Sequence, residues 1–271
     1  RSRPPCPTPG SSGGTSSAQQ SASRHCWCGS HWKLAPGFFR FDLECPKLAE
    51  KASAGQFVHI RVPGFTLRRP ISIAKILPGK EGLALVFEVR GDGTKELSRL
   101  REGDLLDLMG PLGHGFTLLA PDAKAVFAGG GIGLPPLLEA ASHYRRPTVL
   151  AGFRTAAAVI LREDFEAIGA DFRLSTDDGT AGEAGTVLPL LDRRLAEDKA
   201  DILYACGPAP MLRAVRDLAL GRGIRCELSL EERMGCGVGA CLVCACKTAG
   251  GMKQVCKDGP VFPAEEVRFD G

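Results

Sequence analysis

The sequence lacks the features that define several large classes of protein. It has no run of about 18 apolar residues, because glycine and proline interrupt its most apolar stretch, AVFAGGGIGLPPLLEAA, and we therefore expect no membrane-spanning helix. No block of like charge stands out among the 34 basic and 31 acidic residues, which argues against a nucleic-acid partner. The start of the chain has no apolar core of a secretory signal, so we expect a cytoplasmic protein.

The composition is that of a globular protein with more than one domain. The chain has 271 residues, of which 44% are hydrophobic and 24% are charged. Cores of that size need no disulfides to hold them together. Residues 1–30 are rich in Ser, Gly and Pro and show no hydrophobic period, which predicts a disordered tail.

Two different patterns of predicted secondary structure follow the predicted tail. In residues 31–118, short β-like runs such as FFRFDLEC and LALVFEV alternate with turns, which predicts an antiparallel β-barrel. In residues 119–224, apolar runs alternate with helical patterns, which predicts a parallel α/β nucleotide-binding domain. Residues 225–271 form a small predicted module that contains most of the cysteines. The predicted fold class is therefore multidomain, α/β plus β.

The cysteines are unevenly distributed. Five of the eleven lie between Cys236 and Cys256, and such clustering indicates a metal site rather than a disulfide framework. Cys236, Cys241 and Cys244 have the spacing C-x4-C-x2-C, and Cys256 follows after eleven intervening residues. This spacing is close to that of plant-type [2Fe-2S] proteins, so these four residues are the predicted metal ligands.

Three further features of the cysteine segment bear on that prediction. Gly235, Gly237 and Gly239 are expected to take positive φ angles, which let the loop wrap a cluster closely. The alternative is a structural zinc site, although zinc-binding cysteines usually come as two C-x2-C pairs. The additional Cys246 is expected to be a packed thiol rather than a fifth ligand.

A glycine-rich turn, GGGIG, connects an apolar run to a helical pattern. Leu134, Leu137, Leu138 and Ala141 fall on one face of that helix, and the helix N-terminus favours an anionic pyrophosphate. The spacing is not the usual G-x-G-x-x-G of dinucleotide-binding turns, and a tight connection without a ligand is the alternative. The candidate contacts are Gly129, Gly130, Gly131 and Gly133.

The order of five motifs resembles that of a known family. RRPISIA, GDGT, GGGIG, ACGPAPML and the four-cysteine loop follow one another as in the ferredoxin-reductase-like flavoproteins. SLEERMGCGVGAC and CKDGPVF look particularly like the electron-transfer subunit of NAD-dependent (class 1B) dihydroorotate dehydrogenase. The resemblance covers residues 34–271.

This resemblance implies FAD, NAD and a [2Fe-2S] cluster as cofactors. It places Arg69 against the FAD phosphates and Ser72 near the isoalloxazine ring, with Arg68 as a solvated neighbour. It also places Cys206, Gly207 and Pro208 near the nicotinamide. The other implied FAD contacts are Pro70, Ile71, Val86, Phe87, Glu88, Gly93 and Thr94.

The resemblance implies an oxidoreductase subunit of pyrimidine (UMP) biosynthesis. Electrons from dihydroorotate would pass from an FMN-containing catalytic subunit through the cluster and FAD to NAD+, in a heterotetramer of two catalytic and two electron-transfer subunits. No side chain of this chain is expected to serve as a catalytic acid or base, because a hydride moves directly between stacked rings.

Two alternative functions and the choice of nicotinamide remain open at this point. The chain could serve an NADH-dependent ferredoxin:NADP oxidoreductase or a sulfide dehydrogenase, or it could be a zinc-stapled binding module without enzymatic activity. Asp177 and Asp178 favour NAD because carboxylates suit ribose hydroxyls and repel a 2′-phosphate, whereas Arg154 favours NADP.

Overall fold

A closed six-stranded barrel forms the first part of the structure, a computed structural model that describes residues 23–269. Neighbouring strands of the barrel are antiparallel and follow the order β1-β2-β5-β4-β3-β6. The strands are β1 (Ser23–Ala35), β2 (Phe38–Glu44), β3 (Phe57–Ile60), β4 (Arg69–Ile76), β5 (Gly82–Glu88) and β6 (Leu105–Leu112). Two short helices, α1 (Pro46–Ala49) and α2 (Asp92–Leu97), lie in the connections.

The first strand begins earlier than the sequence indicated. Residues 23–30, which we assigned to a disordered tail, belong to β1, whereas residues 1–22 of that predicted tail lie outside the described residues. The strand is held because Cys26 and Cys28 are buried in the barrel and because both of its edges pair, with β2 and with β6. The Ser- and Gly-rich composition just before β1 hid the strand pattern of residues 23–30 from the sequence analysis.

A seven-stranded sheet forms the second part of the structure. Its order is β10-β9-β8-β7-β11-β12-β15, and only the edge strand β15 is antiparallel to its neighbour. The strands are β7 (Ala125–Gly130), β8 (Thr148–Phe153), β9 (Asp171–Thr176), β10 (Glu183–Ala184), β11 (Ile202–Cys206), β12 (Cys226–Ser229) and β15 (Val261–Pro263). The predicted combination of an antiparallel barrel and a parallel α/β domain is therefore confirmed.

The cysteine segment is inserted into this sheet. β12 precedes it, β15 follows it, and between them the chain forms a hairpin of β13 (Ala245–Thr248) and β14 (Gly251–Gln254). The module boundary that we expected at residue 225 therefore separates strands of one sheet. The insertion holds the cysteine loop at the edge of the sheet.

Helices cover both faces of the sheet and bury its apolar residues. They are α3 (Pro135–Ser142), α4 (Arg162–Ala167), α5 (Val187–Glu197) and α6 (Ala209–Gly221). Leu134, Leu137, Leu138 and Ala141 are all buried, as their spacing predicted. α4 begins only at Arg162, because Leu161 takes a φ of 60° immediately before it. Within residues 23–269, no helix is long and apolar enough to span a membrane.

A buried tyrosine pair ties the barrel-to-sheet connection to the sheet. The Tyr204 hydroxyl, on β11, donates to the Thr117 carbonyl at 2.7 Å and lies 2.6 Å from the Tyr144 hydroxyl. Since Tyr204 gives its proton to Thr117, Tyr144 must donate to Tyr204, and the Tyr144 oxygen accepts the Leu119 N–H. Burial and the bond with Tyr144 raise the pKa of Tyr204, so its hydroxyl stays protonated.

We expect Tyr204→Phe to lower the free energy of unfolding by about 1–3 kcal/mol, because it leaves the Thr117 carbonyl without its donor and the Tyr144 O–H without its acceptor. Urea unfolding followed by circular dichroism measures this. The control is Arg99→Ala, which removes an exposed ion pair with Glu96 and should change stability by less than about 0.5 kcal/mol. Equal effects of the two variants would contradict the expectation.

Candidate functional site

Two glycine-rich turns meet at the carboxyl ends of neighbouring parallel strands. β7 ends at Gly130 and continues through a 3-10 turn, Gly131–Gly133, into α3, while β11 ends at Cys206, directly before Gly207. A Cβ at Gly133 would collide with the Cys206 carbonyl, so the two backbones touch where only glycine fits. The motifs GGGIG and CGP, far apart in sequence, therefore lie side by side.

These turns form one wall of a cleft, which we call the dinucleotide cleft. Five residues of the predicted GGGIG and CGP contacts line it: Gly130, Gly131, Gly133, Gly207 and Pro208. The fourth glycine of the motif, Gly129, does not line it. Gly129 is buried, and its missing side chain leaves room for Leu134 instead.

Residues that bear on the choice of nicotinamide lie at this cleft as well. Asp177 and Arg154 both line it, so the two opposing charges face the same space. Asp178 is directed elsewhere, because its carboxylate accepts hydrogen bonds from the Thr180 hydroxyl and backbone N–H, which lower its pKa. Of the two predicted carboxylates, Asp177 is the one that lines the dinucleotide cleft.

A second cleft, the flavin cleft, lies between the barrel and the cysteine segment. Its walls include predicted FAD contacts from β4, from β5 and from the start of α2, together with Cys206 from the sheet. The predicted residues that line it are Pro70, Ile71, Ser72, Val86, Phe87, Glu88 and Thr94. Phe57, Met234 and Pro260 line it too, although none of them was among the predicted contacts.

The two clefts are continuous. Glu88, Arg90, Ile132 and Glu231 line both of them, so they form one groove. Of these four, sequence reasoning found only Glu88, although Arg90 directly precedes GDGT and Ile132 lies within GGGIG. A ring bound in one cleft can therefore lie against a ring bound in the other.

Charged side chains surround the junction of the two clefts. Arg90 forms a 2.6 Å ion pair with Glu88, and its guanidinium lies 4.0 Å from the Glu231 carboxylate. Although 53% of the Glu231 side chain faces the open groove, desolvation between the walls raises its pKa, and the charge of Arg90 opposes that shift.

Arg69 lies beside the flavin cleft rather than in its wall. Its guanidinium donates to the Leu67 carbonyl at 2.6 Å and lies over the Phe65 ring. A Cβ at Gly93 would collide with this guanidinium. The motifs RRPIS and GDGT are therefore in contact, as a shared phosphate site requires.

The GDGT segment forms the start of helix α2. Gly91 precedes α2, and the Thr94 hydroxyl accepts the Arg90 N–H at 2.9 Å and donates to the Gly91 carbonyl at 3.0 Å. The short side chain of Thr94 thus closes the first turn of α2, which the sequence pattern did not reveal.

The expectation that Arg68 is solvated is wrong. Its guanidinium forms an ion pair with Asp107 at 2.8 Å and donates to the His59 carbonyl at 3.3 Å, and only 21% of the side chain is exposed. Arg68 therefore links β3 and β6 of the barrel.

Cys206 lies at the bottom of the flavin cleft with 2% of its surface exposed. Burial raises the pKa of its thiol, and the nearby Glu231 carboxylate adds to the shift. The thiol is therefore protonated and is not a nucleophile.

Backbone N–H groups of the cysteine loop converge on the predicted ligand sulfurs. The Cys236 sulfur accepts the N–H groups of Val238 and Ala240 at 3.4 and 3.2 Å. The Cys256 sulfur accepts the Gly239 N–H at 3.2 Å. Donors aimed at sulfur are what an anionic iron–sulfur cluster requires, so the residues fit such a group.

These donors also change the acidity of Cys236. Burial alone would raise its pKa, but the N–H groups of Val238 and Ala240 outweigh that effect and lower the pKa to about 6. In contrast, burial and the shared bond with Cys244 raise the pKa of Cys256 to about 12.

The glycines of the loop have separate functions. Gly237 and Gly239 have φ angles of 74° and 81°, as predicted, and a Cβ at Gly237 would collide with the His59 ring from the barrel. The expectation of a positive φ at Gly235 is wrong. Gly235 instead provides space, because a Cβ there would lie only 3.1 Å from the Cys241 sulfur.

Exposed apolar side chains surround the outer side of the loop. Val238, Leu242 and Val243 are 46%, 65% and 56% exposed, and the neighbouring Cys241 is exposed as well. Leu242 adopts a φ of 60°, a conformation that costs free energy for a side chain with a Cβ. We call these three side chains the apolar collar.

Cys246 packs in the same buried cluster as two of the predicted ligands, Cys244 and Cys256. It is buried on β13 among apolar residues, and burial raises the pKa of its thiol to about 11. The structure therefore agrees with a packed thiol.

Comparisons with known proteins agree with this arrangement. A family model of the iron-sulfur cluster binding domain of dihydroorotate dehydrogenase B matches residues 231–268. The chain is 44% identical to the electron transfer subunit of dihydroorotate dehydrogenase B (NAD(+)) from Geobacillus kaustophilus, over 86% of this chain and 94% of that protein. The protein of the same name from Desulforamulus reducens is 41% identical, over 88% of this chain and 95% of that one.

Solved structures show the same architecture. A chain of the NADH-dependent reduced ferredoxin-NADP oxidoreductase superposes with a TM-score of 0.83 at 32% identity, over 90% of both chains. The CS-b5R domains of human Ncb5or superpose with a TM-score of 0.61 at 19% identity, over 75% of this chain and 67% of that one. The second likeness is one of fold alone.

Proposed function

The chain belongs to the family of electron transfer subunits of dihydroorotate dehydrogenase B (NAD(+)), and from this premise we propose how its groove and cysteine loop carry electrons. The chain is an oxidoreductase subunit that transfers electrons from dihydroorotate oxidation to NAD+ in pyrimidine biosynthesis. The observation that carries the proposal is the continuity of the site. The dinucleotide cleft opens into the flavin cleft, which is lined by Met234, two residues before Cys236.

FAD would lie in the flavin cleft along β4 and β5. Pro70, Ile71 and Ser72 would face one side of its ring system, with Val86, Phe87 and Glu88 beside them. Arg69, Gly93 and Thr94 would hold the phosphates, because a guanidinium fork suits a diphosphate and α2 begins beside it. When bound, FAD supplies the conversion between the hydride that NAD exchanges and the single electrons that a [2Fe-2S] cluster carries.

NAD would lie across the dinucleotide cleft. The glycine turn before α3 gives the pyrophosphate close access to backbone N–H groups, and Gly207 and Pro208 would bring the nicotinamide toward the flavin cleft. Asp177 would favour the ribose hydroxyls of NAD over a 2′-phosphate. The protein contributes position and electrostatics, and no side-chain acid or base is needed for hydride transfer.

Cys236, Cys241, Cys244 and Cys256 would hold the [2Fe-2S] cluster. The N–H groups that converge on their sulfurs would offset its negative charge. The alternative of a zinc-stapled binding module is not supported, because the matching family model describes iron-sulfur cluster binding.

An electron transfer subunit acts with a catalytic subunit. We propose that the partner is the FMN-containing dihydroorotate dehydrogenase subunit, in an assembly of two copies of each chain, and that it docks on the apolar collar. Exposed Val238, Leu242 and Val243 surround Cys241, so a subunit that covers them would come close to the cluster. Closeness matters because electron tunnelling weakens steeply with distance.

One solved structure favours a second candidate function, that of a subunit of an NADH-dependent ferredoxin-NADP oxidoreductase. The likeness to a chain of the NADH-dependent reduced ferredoxin-NADP oxidoreductase extends over 90% of both chains, so a chain of this architecture also occurs in an enzyme of that name. The names of the relatives at 41% and 44% identity favour a function in dihydroorotate oxidation.

Replacement of one cluster ligand tests the relay. With Cys236→Ser we expect NADH-dependent reduction of a two-electron dye to persist, because that reaction needs only the groove. Electron transfer to the FMN subunit should fall below about one hundredth of the wild-type rate, which corresponds to about 2.7 kcal/mol in activation free energy. Both reactions are followed spectrophotometrically.

The matched control for this experiment is Cys246→Ser, which removes a thiol of the same segment outside the proposed ligand set and should keep both activities. Equal loss of dye reduction and of transfer to the partner in Cys236→Ser would contradict the relay.

A pair of glycine substitutions tests the phosphate site. We expect Gly93→Ala to weaken FAD binding about tenfold, or about 1.4 kcal/mol, because the added Cβ displaces the Arg69 guanidinium. At Gly91 the backbone is extended, with a φ of −168°, and a Cβ would meet nothing within 4 Å, so Gly91→Ala should bind FAD as the wild type does. Flavin fluorescence titrations of the apoproteins give both affinities. Unchanged affinity in Gly93→Ala would show that Arg69 does not hold FAD.

A further inference from the structure

A fully buried histidine lies where the barrel meets the cysteine loop. His59, on β3, pairs with Pro70 on β4 and with Met109 on β6, and none of its surface is exposed. A Cβ at Gly237 would come within 2.6 Å of the His59 Nδ1 atom. The loop that carries Cys236 therefore crosses directly over the imidazole.

His59 continues the wall of the flavin cleft. The register pairs Phe57 with Ser72 and His59 with Pro70, and paired side chains of antiparallel strands lie on the same face. Phe57, Pro70 and Ser72 line the flavin cleft, whereas His59 is covered by the cysteine loop. The imidazole thus stands between the flavin face of the barrel and the proposed cluster.

The two ring nitrogens of His59 have no hydrogen-bond partner among residues 23–269. Burial lowers the pKa of His59 to about 4, and the charges of Arg68 and Arg69 add to the effect, so the ring is neutral and carries one N–H. Buried donors without a partner are rare in folded proteins because they cost free energy. A partner is therefore expected from a group that completes the site.

We propose that the N–H of His59 donates a hydrogen bond to the iron–sulfur cluster, which makes His59 a positioning residue that raises the reduction potential of the cluster. The proposal rests on the proposed ligand set. The cluster is the favoured partner because Nδ1 lies against Gly237, next to Cys236, and because His59 does not line the flavin cleft. A hydrogen bond to a cluster sulfur stabilises the reduced form, which carries more negative charge.

Three variants of the complete chain, reconstituted with iron and sulfide, separate this role from packing. His59→Leu removes the N–H, His59→Gln keeps a donor, and His25→Leu removes an exposed histidine of the same barrel as a control. Redox titrations followed by electron paramagnetic resonance give the cluster potential. Pulsed spectra of protein labelled with 15N-histidine reveal any histidine nitrogen that couples to the reduced cluster.

We expect a histidine nitrogen coupling in the wild type and in His25→Leu, and none in His59→Leu. The cluster of His59→Leu should be about tenfold harder to reduce, a downward shift of about 59 mV for one electron, whereas His59→Gln should keep most of the wild-type potential. A wild-type cluster without histidine coupling would overturn the proposal, and that measurement needs no variant to fold.

The failure of the proposal and the failure of the proposed function look different. If the wild type has the spectrum of a [2Fe-2S] cluster, but His59→Leu leaves its potential unchanged, then only the role of His59 is wrong. If no cluster spectrum forms in the wild type after reconstitution, the proposed function fails as well.

Discussion

The close approach of chain segments at glycine is the constraint on which the rest of the site depends. Gly133 lets the turn after β7 touch the backbone at Cys206, and Gly93 leaves space for the Arg69 guanidinium. Gly237 brings the cysteine loop onto His59 of the barrel. The contact at Gly133 joins the walls of the two clefts, and the contact at Gly93 joins two segments at one proposed phosphate site. The contact at Gly237 joins the barrel to the cysteine loop. Electron transfer requires short distances, and these contacts bring the binding surfaces together.

The topology of the sheet is the second feature that brings the parts of the site together. Because β7 and β11 are parallel neighbours, their carboxyl ends place both glycine-rich turns in one cleft. β12 and β15 then anchor the cysteine segment at the sheet edge, and the barrel packs against the same edge through His114, whose N–H donates to the Gly259 carbonyl. The groove, the flavin face and the cysteine loop follow from this one arrangement.

Much of the site was predictable because its residues stand in compact motifs with their own physical signatures. Glycines after a strand and cysteines at fixed spacing can be recognised as candidate binding residues from the sequence. Arg90 and Glu231 line the groove because of the tertiary fold, so no local pattern predicted them. His59 gave no signal, since a single histidine in an apolar strand looks like any core residue. β1 was partly missed because its pattern begins within a Ser- and Gly-rich segment, and the edges that stabilise it lie elsewhere in the chain.

The most direct test of the central claim is the formation of NADH from dihydroorotate and NAD+ by purified proteins. The proposed partner, an FMN-containing dihydroorotate dehydrogenase subunit of the same source, this chain with its cofactors, and an equimolar mixture are assayed side by side. The account predicts that NADH forms only in the mixture. A chain that reduces a dye with NADH, but leaves dihydroorotate oxidation uncoupled from NAD+ at every ratio of the two proteins, would contradict it.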